Sequence, residues 1–288
     1  MRQPSSQPTR QTPKNWGLIF SGGGMQCSFG VGAARALVDE HKLPPPKIVV
    51  GSSGGAPTAA TFASGQLKRA EEVWREEMTR SDIVGRVNGP TSPFKIDLSR
   101  VVHILRHEIS MLSIYASRTD VYFAATDYDT GQPAYLQANG AKSPQHILKS
   151  IRASMGLPFT TGVEELDDSR YVDGDLSTSL SDKIEWMMAQ GVENVLAINS
   201  VTPDVGRDLY RNLKRAGAED IIKIMRSRMD NLRRTEDFGQ LVIDPSGSLP
   251  CGLFGPNGFE QIGASIDQGY RAVAEDDRIA AFADKINA

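Results

Sequence analysis

Ser53 sits at the centre of Gly51-Ser52-Ser53-Gly54-Gly55, a fit to the G-x-S-x-G pattern of a serine held on a tight strand-to-helix turn with its hydroxyl pushed out of a sheet. The flanks fix the frame. Ser52 as the central serine would need glycine where Val50 stands, whereas Ser53 has glycine on both sides. A side chain at Gly51 or Gly55 would collide with the neighbouring helix or strand across so tight a turn. Upstream, Lys47-Ile48-Val49-Val50 has the pattern of a short buried strand. Downstream, Ala56–Ala63 is small and helix-compatible, with an early Pro57. A flexible glycine-serine loop has the same composition but does not require these flanks.

A second cluster, Ser21-Gly22-Gly23-Gly24, follows the strand-like Trp16-Gly17-Leu18-Ile19-Phe20 and precedes an apolar helix beginning near Ser28. Backbone N–H groups converging at a helix N-terminus bind anionic oxygen, either a phosphate or the developing oxyanion of acyl transfer. A P-loop would end in Gly-Lys-Ser or Gly-Lys-Thr, and a dinucleotide fingerprint would space its glycines as G-x-G-x-x-G ahead of an acidic residue. Gly22, Gly24 and Gly30 do not give that spacing, although Asp39 and Glu40 imitate its acidic end, so nucleotide binding is the weaker reading.

A serine nucleophile needs a base, and histidine is the usual one. The histidines are His41, His103, His107 and His146, and none follows residue 146, which argues against the Ser-Asp-His chain order of α/β-hydrolases. His103 and His107 share a predicted helical face at zinc-ligand spacing. They lack an intervening glutamate and a third ligand, so a solvated or half-buried helix face is the better reading. A carboxylate suits the role better. Tyr171-Val172-Asp173-Gly174-Asp175 ends a short strand, and a desolvated Asp173 within hydrogen-bond reach can take the serine proton directly. The same Asp-Gly pair also serves as a plain turn between strands. Cys27, beside the glycine loop, has no histidine or cation placed to ionise it and reads as a small helix-entry residue.

The order GGG, GSSGG and strand-ending Asp-Gly resembles the patatin-like phospholipase family. Ala124-Ala125-Thr126-Asp127 with Asp129-Thr130-Gly131 is similar to that family's central strand and turn. Arg152-Ala153-Ser154-Met155-Gly156-Leu157-Pro158-Phe159 is similar to its segment leading to the catalytic aspartate. Gln268-Gly269-Tyr270-Arg271-Ala272 looks like its last helix, so the likeness runs over residues 16–274.

The resemblance implies a three-layer α/β/α fold with a central, mainly parallel sheet and a nucleophile elbow. It also implies a Ser–Asp dyad hydrolysing lipid acyl esters, of phospholipase A or lysophospholipase type. Carried over residue by residue, Ser53 is the nucleophile and Asp173 the base. Gly22, Gly23 and Gly24, joined by Gly54, supply oxyanion N–H donors, and no metal or cofactor is required. Two positions depart from the family pattern. Gln26 stands where the family has a basic residue, and Asp175 stands where it has Gly or Ala. If Asp173 and Asp175 were both desolvated, one would take up a proton. The alternative that these departures leave open is a catalytically weak or silent lipid-binding module.

A sheet must bring these groups together. A chain of 288 residues can bury a full core, and short strands alternating with helices argue for one α/β domain over residues 15–288. Residues 1–14 are polar, contain Pro4, Pro8 and Pro13, and read as a disordered tail without the apolar core of a signal peptide. The formal charge of −3 gives nucleic acid no global attraction. Cys27 and Cys251 are too few for a disulfide framework and suit a reducing, cytoplasmic compartment. No apolar run reaches the roughly 18 residues of a membrane span, so contact with a lipid surface is expected to be peripheral.

Two segments could make that contact. Val101, Val102, Leu105, Ile109 and Leu112 recur at helical spacing and read as a core-packed helix or as a lid over the serine. Residues 207–234 are basic, with Ile222, Met225, Met229 and Leu232 on one face, but Asp208, Glu219, Asp220 and Asp230 interrupt the charge. A solvated helix packed on the domain accounts for them as well as a membrane-facing one.

The pattern predicts strands over 16–20, 47–51, 120–127, 133–137, 170–173, 194–199 and 240–244. Helices are predicted over 28–41, 54–65, 68–80, 97–115, 144–154, 178–190, 207–233 and 258–284, the last with a break near Glu275.

Overall fold

The computed structural model describes residues 12–79, 83–85, 95–158, 161–201, 240–252 and 261–287. The predicted basic helix, and the expected tail through residue 11, lie outside the described residues. The first half of the chain runs β1 (Lys14–Phe20), α1 (Ser28–Asp39), β2 (Pro46–Ser52), α2 (Ala56–Ala63), α3 (Leu67–Glu76), β3 (Val84–Gly85), β4 (Lys95–Ile96), α4 (Leu98–Glu108) and α5 (Met111–Tyr115). It continues with β5 (Asp120–Asp127), β6 (Pro133–Gln137), α6 (Pro144–Met155), β7 (Glu164–Leu166), β8 (Ser169–Asp173), α7 (Leu180–Ala189), β9 (Asn194–Ile198), β10 (Leu241–Ile243), α8 (Ile262–Ala274) and α9 (Asp277–Asn287).

The central sheet has the order β10-β9-β1-β2-β5-β8-β7, with β6 also paired to β5, while β3 and β4 form a separate antiparallel pair. From β10 to β5 every pairing is parallel; β6 and β8 run antiparallel to β5. Side chains alternate across the sheet as strand geometry demands. Trp16, Leu18 and Phe20 pack with Phe29 of α1, Val273 of α8 and Phe282 of α9, whereas Ile19 packs on the other face with Ile184 and Met187 of α7. Helices thus cover both faces, giving the expected three-layer α/β/α arrangement around a mainly parallel sheet.

The register along β5 places two strand ends side by side. Over residues 122–126 one edge of β5 is taken by β6. β2 and β8 therefore share the opposite edge and meet end to end, Ser52 lying opposite Ala124 and Asp173 opposite Ala125.

Two departures from the predicted elements, and the predicted break of the last helix, have local causes. The helix expected over 97–115 breaks at Ile109, which is extended, and Ser110 restarts it by accepting the Ser113 N–H at 3.2 Å. The last helix breaks beside Glu275, where Asp276 accepts the Arg278 N–H at 2.9 Å. β7 had no counterpart in the sequence pattern. It joins β8 through Asp167 and Asp168, with φ of 52° and 63°, the two-residue hairpin geometry usually signalled by Asn-Gly or Asp-Gly.

α1 and α8 pack backbone to backbone. A Cβ at Gly32 would lie 1.8 Å from the Ile266 carbonyl oxygen, and one at Gly269 would lie 2.0 Å from that of Phe29. Gly269→Ala is therefore expected to force the helices apart and to cost roughly 1–3 kcal/mol, read as a lower urea midpoint. An unchanged midpoint would contradict this packing.

Candidate active site

β2 ends in the serine turn. Ser53 has φ 52°, a left-handed conformation that costs a non-glycine residue on the order of 1 kcal/mol. The turn closes because Gly51 and Gly55 lack side chains. A Cβ on Gly51 would lie 2.6 Å from Ala56 Cα, and one on Gly55 2.5 Å from the Ser21 carbonyl oxygen. α2 follows with Pro57 in its first turn, where no N–H is needed. Ser154 of α6 straps the turn to β5, its hydroxyl accepting the Ser53 N–H at 3.1 Å and donating to the Ala124 carbonyl at 2.5 Å.

β8 delivers Asp173 to the same place. Its backbone N–H donates to the Gly156 carbonyl at 2.7 Å, and its carbonyl accepts the Thr126 hydroxyl at 2.8 Å. Its Oδ1 accepts the Asp175 N–H at 2.9 Å, and the Ser53 hydroxyl is close enough to favour its ionised form. The following residue must be glycine, because a Cβ on Gly174 would lie 2.2 Å from the Ala124 carbonyl oxygen. Asp173 is only 2% exposed. Burial first, and then the neighbouring Asp175 carboxylate, push its carboxyl up to about 7, against smaller lowering by the Ser53 hydroxyl and Lys183.

The glycine loop closes over the pair. A Cβ on Gly22 would lie 2.7 Å from Ser53 Cβ, and one on Gly54 would lie 2.6 Å from the Gly24 carbonyl oxygen, so the two glycine clusters touch. Gly23, at φ 151°, turns toward the Ser200 carbonyl. Gln26 points inward and anchors the loop through a 3.3 Å hydrogen bond from its Nε2 to the Cys251 carbonyl.

A cleft of about 690 Å³, counted with its open mouth, runs from Ser53 and Gly54. Its far walls are apolar, with Trp74 and Met78 on one side and Val101, Ile104 and Leu105 of α4 on another. The stripe on α4 accordingly serves as core and cleft wall at once, while Leu112 of α5 points outward, 67% exposed.

The structure brings Ser53, Asp173, Gly22, Gly24 and Gly54 together and leaves the other candidates apart from them. His103 and His107 lie with ring centroids 4.4 Å apart and tilted by 50° on exposed positions of α4, and His41 contacts the Val273 carbonyl at 2.9 Å. No cluster of three or more metal-ligating side chains occurs among the described residues. Burial and the two nearby carboxylates hold the Cys27 thiol well above its usual range, so it is protonated and unreactive.

Three participants escaped the sequence reading. Ser154 straps the elbow. Ser52 donates to Asp175 Oδ1 at 2.6 Å, and Lys183, 1% exposed, donates to the same oxygen at 2.8 Å. Asp175 is thus ion-paired with Lys183, and of the two neighbouring carboxyls it is Asp173 that burial and the Asp175 charge make more ready to hold a proton. The available signals were faint: Ser154 in the last turn of α6, and Lys183 just after the Ser179–Asp182 capping box that starts α7.

The patatin-like phospholipase family model matches residues 18–180, and the chain belongs to that family. In general terms this makes it a lipid hydrolase. VipD from Legionella pneumophila is similar in structure, at 14% identity over 95% of this chain and 67% of that one, with a TM-score of 0.43. The type III effector protein ExoU is similar at 14% identity over 95% and 54%, with a TM-score of 0.37. A chain of the heterodimeric ExoU-SpcU complex from Pseudomonas aeruginosa is similar at 14% identity over 96% and 53%, with a TM-score of 0.36. The chain thus spans about two thirds of the first and about half of the other two. A comparison with curated proteins returned no match.

Because the folded pKa of Asp173 lies above its unfolded value, the carboxyl contributes stability that is present below about pH 4 and lost as pH rises through about 7. Asp173→Asn does not titrate. Its stability relative to wild type is expected to climb by roughly 1.4 kcal/mol per pH unit across that window, measured by urea denaturation at several pH values. A difference independent of pH would contradict the buried, proton-hungry carboxyl.

Proposed function

We propose that the chain hydrolyses carboxylic esters of lipids by acyl transfer through Ser53 and Asp173. The observation that carries this reading is the placement of the Ser53 turn beside the buried Asp173 carboxyl, at one end of an apolar cleft. Asp173 takes the Ser53 proton as Oγ attacks the acyl carbonyl, and the oxyanion that forms is held by N–H groups of Gly22, Gly23, Gly24 and Gly54. The ester C–O bond then breaks, the proton on Asp173 passes to the departing alcohol, and the acyl group stays on Ser53. Water, deprotonated by Asp173, attacks the acyl-serine and releases the fatty acid with Ser53 reprotonated.

The described cleft walls are apolar and suit an acyl chain, so the proposed recognition centres on the fatty-acyl half of the substrate. The products are a free fatty acid and a lysolipid or alcohol, as expected of a phospholipase A or lysophospholipase. Among the described residues no helix is long and apolar enough to cross a membrane, and the proposed contact with lipid is peripheral. Cys27 and Cys251 are both unpaired and buried, as suits a reducing compartment such as the cytoplasm. The case for a silent lipid-binding module rested on Gln26 and Asp175; the former anchors the glycine loop and the latter is held by Lys183.

Incubation with a panel of phospholipids, lysophospholipids, galactolipids and neutral esters, read by mass spectrometry, is expected to show fatty-acid release by the wild type. Ser53→Ala is expected to lose about 10³-fold or more of that rate. Full activity in Ser53→Ala would refute the proposal.

A further inference from the structure

Asp175 bridges three segments of the site. Its backbone N–H donates to Asp173 Oδ1 at 2.9 Å, its Oδ1 accepts the Ser52 hydroxyl at 2.6 Å, and its Oδ2 lies 1.8 Å from where a Cβ on Gly22 would be. One carboxylate therefore reaches the turn after β8, the end of β2 and the loop after β1. Behind it, Lys183 Nζ donates to Asp175 Oδ1 at 2.8 Å, to the Thr178 carbonyl at 3.1 Å and to the Ser179 carbonyl at 3.4 Å. An ammonium taken this far out of water is costly, and stability alone is weak grounds for keeping a buried ion pair.

We infer that the buried Asp175–Lys183 pair is a positioning device for the reaction proposed above, clamping the Ser52-Ser53 turn against the Asp173 turn and setting the electrostatic field in which Asp173 gains and loses its proton. The inference rests on that functional reading and adds two residues to it. Neither touches the substrate; both act through Asp173 and Ser53.

The groups facing Asp173 define the sign of each change. Asp175 approaches from its own turn, Lys183 from α7, Ser53 from the elbow and the protonated Cys27 thiol from the glycine loop. Repulsion from Asp175 outweighs attraction by Lys183 at Asp173. Neutralising Asp175 should therefore make Asp173 more acidic, and neutralising Lys183 alone should make it less so. Removing both charges should leave a net acidic shift, because the larger influence was repulsive.

The test is the pH profile of kcat/KM for wild type, Asp175→Asn, Lys183→Met and the double variant on a soluble short-chain ester. It is paired with a carbon-13 titration of the Asp173 carboxyl, assigned by its loss in Asp173→Asn. In Asp175→Asn the acid limb and the carboxyl titration should both move down by about one pH unit. In Lys183→Met both should move up, and in the double variant both should move down. The double variant leaves no buried charge unpaired, so it decides the matter if Lys183→Met does not fold. Folded Asp175→Asn and double variants with an unmoved carboxyl titration would overturn the inference, reducing the pair to structural filling. Absence of Ser53-dependent turnover in the wild type would sink the functional reading alone, since the titration still reports on the pair.

Discussion

Two strands running head to head along one edge of β5 impose the constraint from which the site follows. β2 stops at Ser52 opposite Ala124, and β8 stops at Asp173 opposite Ala125. A parallel strand and an antiparallel strand can end at one point only if neither continues, and glycine ends both. Gly54 and Gly55 let the chain leave β2 beneath the loop after β1, and Gly174 lets it leave β8 across the Ala124 carbonyl. Ser154 and Thr126 fasten the two ends to the rest of the fold through hydrogen bonds of 2.5–3.1 Å. The hydroxyl and carboxyl meet because the backbone leaves them nowhere else to go.

The arrangement is electrostatically strained. Asp173 is buried beside a second carboxylate, with Lys183, the Ser53 hydroxyl and the Asp175 N–H offsetting part of the cost. A serine in the left-handed region adds backbone strain. Such costs concentrate at functional sites and are borne by regular packing elsewhere. Here that packing includes the glycine-mediated contact of α1 with α8 and the aromatic edge contact of Trp16 with Phe282 at 5.7 Å. The apolar cleft sharpens the same effect, since low-dielectric walls strengthen every interaction near Ser53 and keep Asp173 hungry for a proton.

Much of this was legible in the chain itself, for a physical reason. Glycines at fixed offsets around Ser53 and after Asp173 answer steric demands that nothing larger can meet, so they mark the turns wherever the rest of the molecule lies. Parallel strands buried on both faces read as the short apolar runs of β1 and β2. Lys183 was not legible, because its burial depends on the path from β8 into α7, and a lysine early in a helix ordinarily faces water. Ser154 carries no signal of its role in the sequence, since its hydrogen bonds reach residues that only the register brings near. The Asp167-Asp168 hairpin went unseen because those residues carry the positive φ angles of a turn without its usual glycine.

The most direct test of the central claim is covalent labelling by a long-chain fluorophosphonate, mapped by peptide mass spectrometry in wild type and in Asp173→Asn. The account predicts a single adduct on Ser53 in the wild type and near-complete loss of labelling in Asp173→Asn at a pH above about 7, where the native carboxyl is ionised. An adduct on another residue, or an equal labelling rate without the carboxylate, would contradict it.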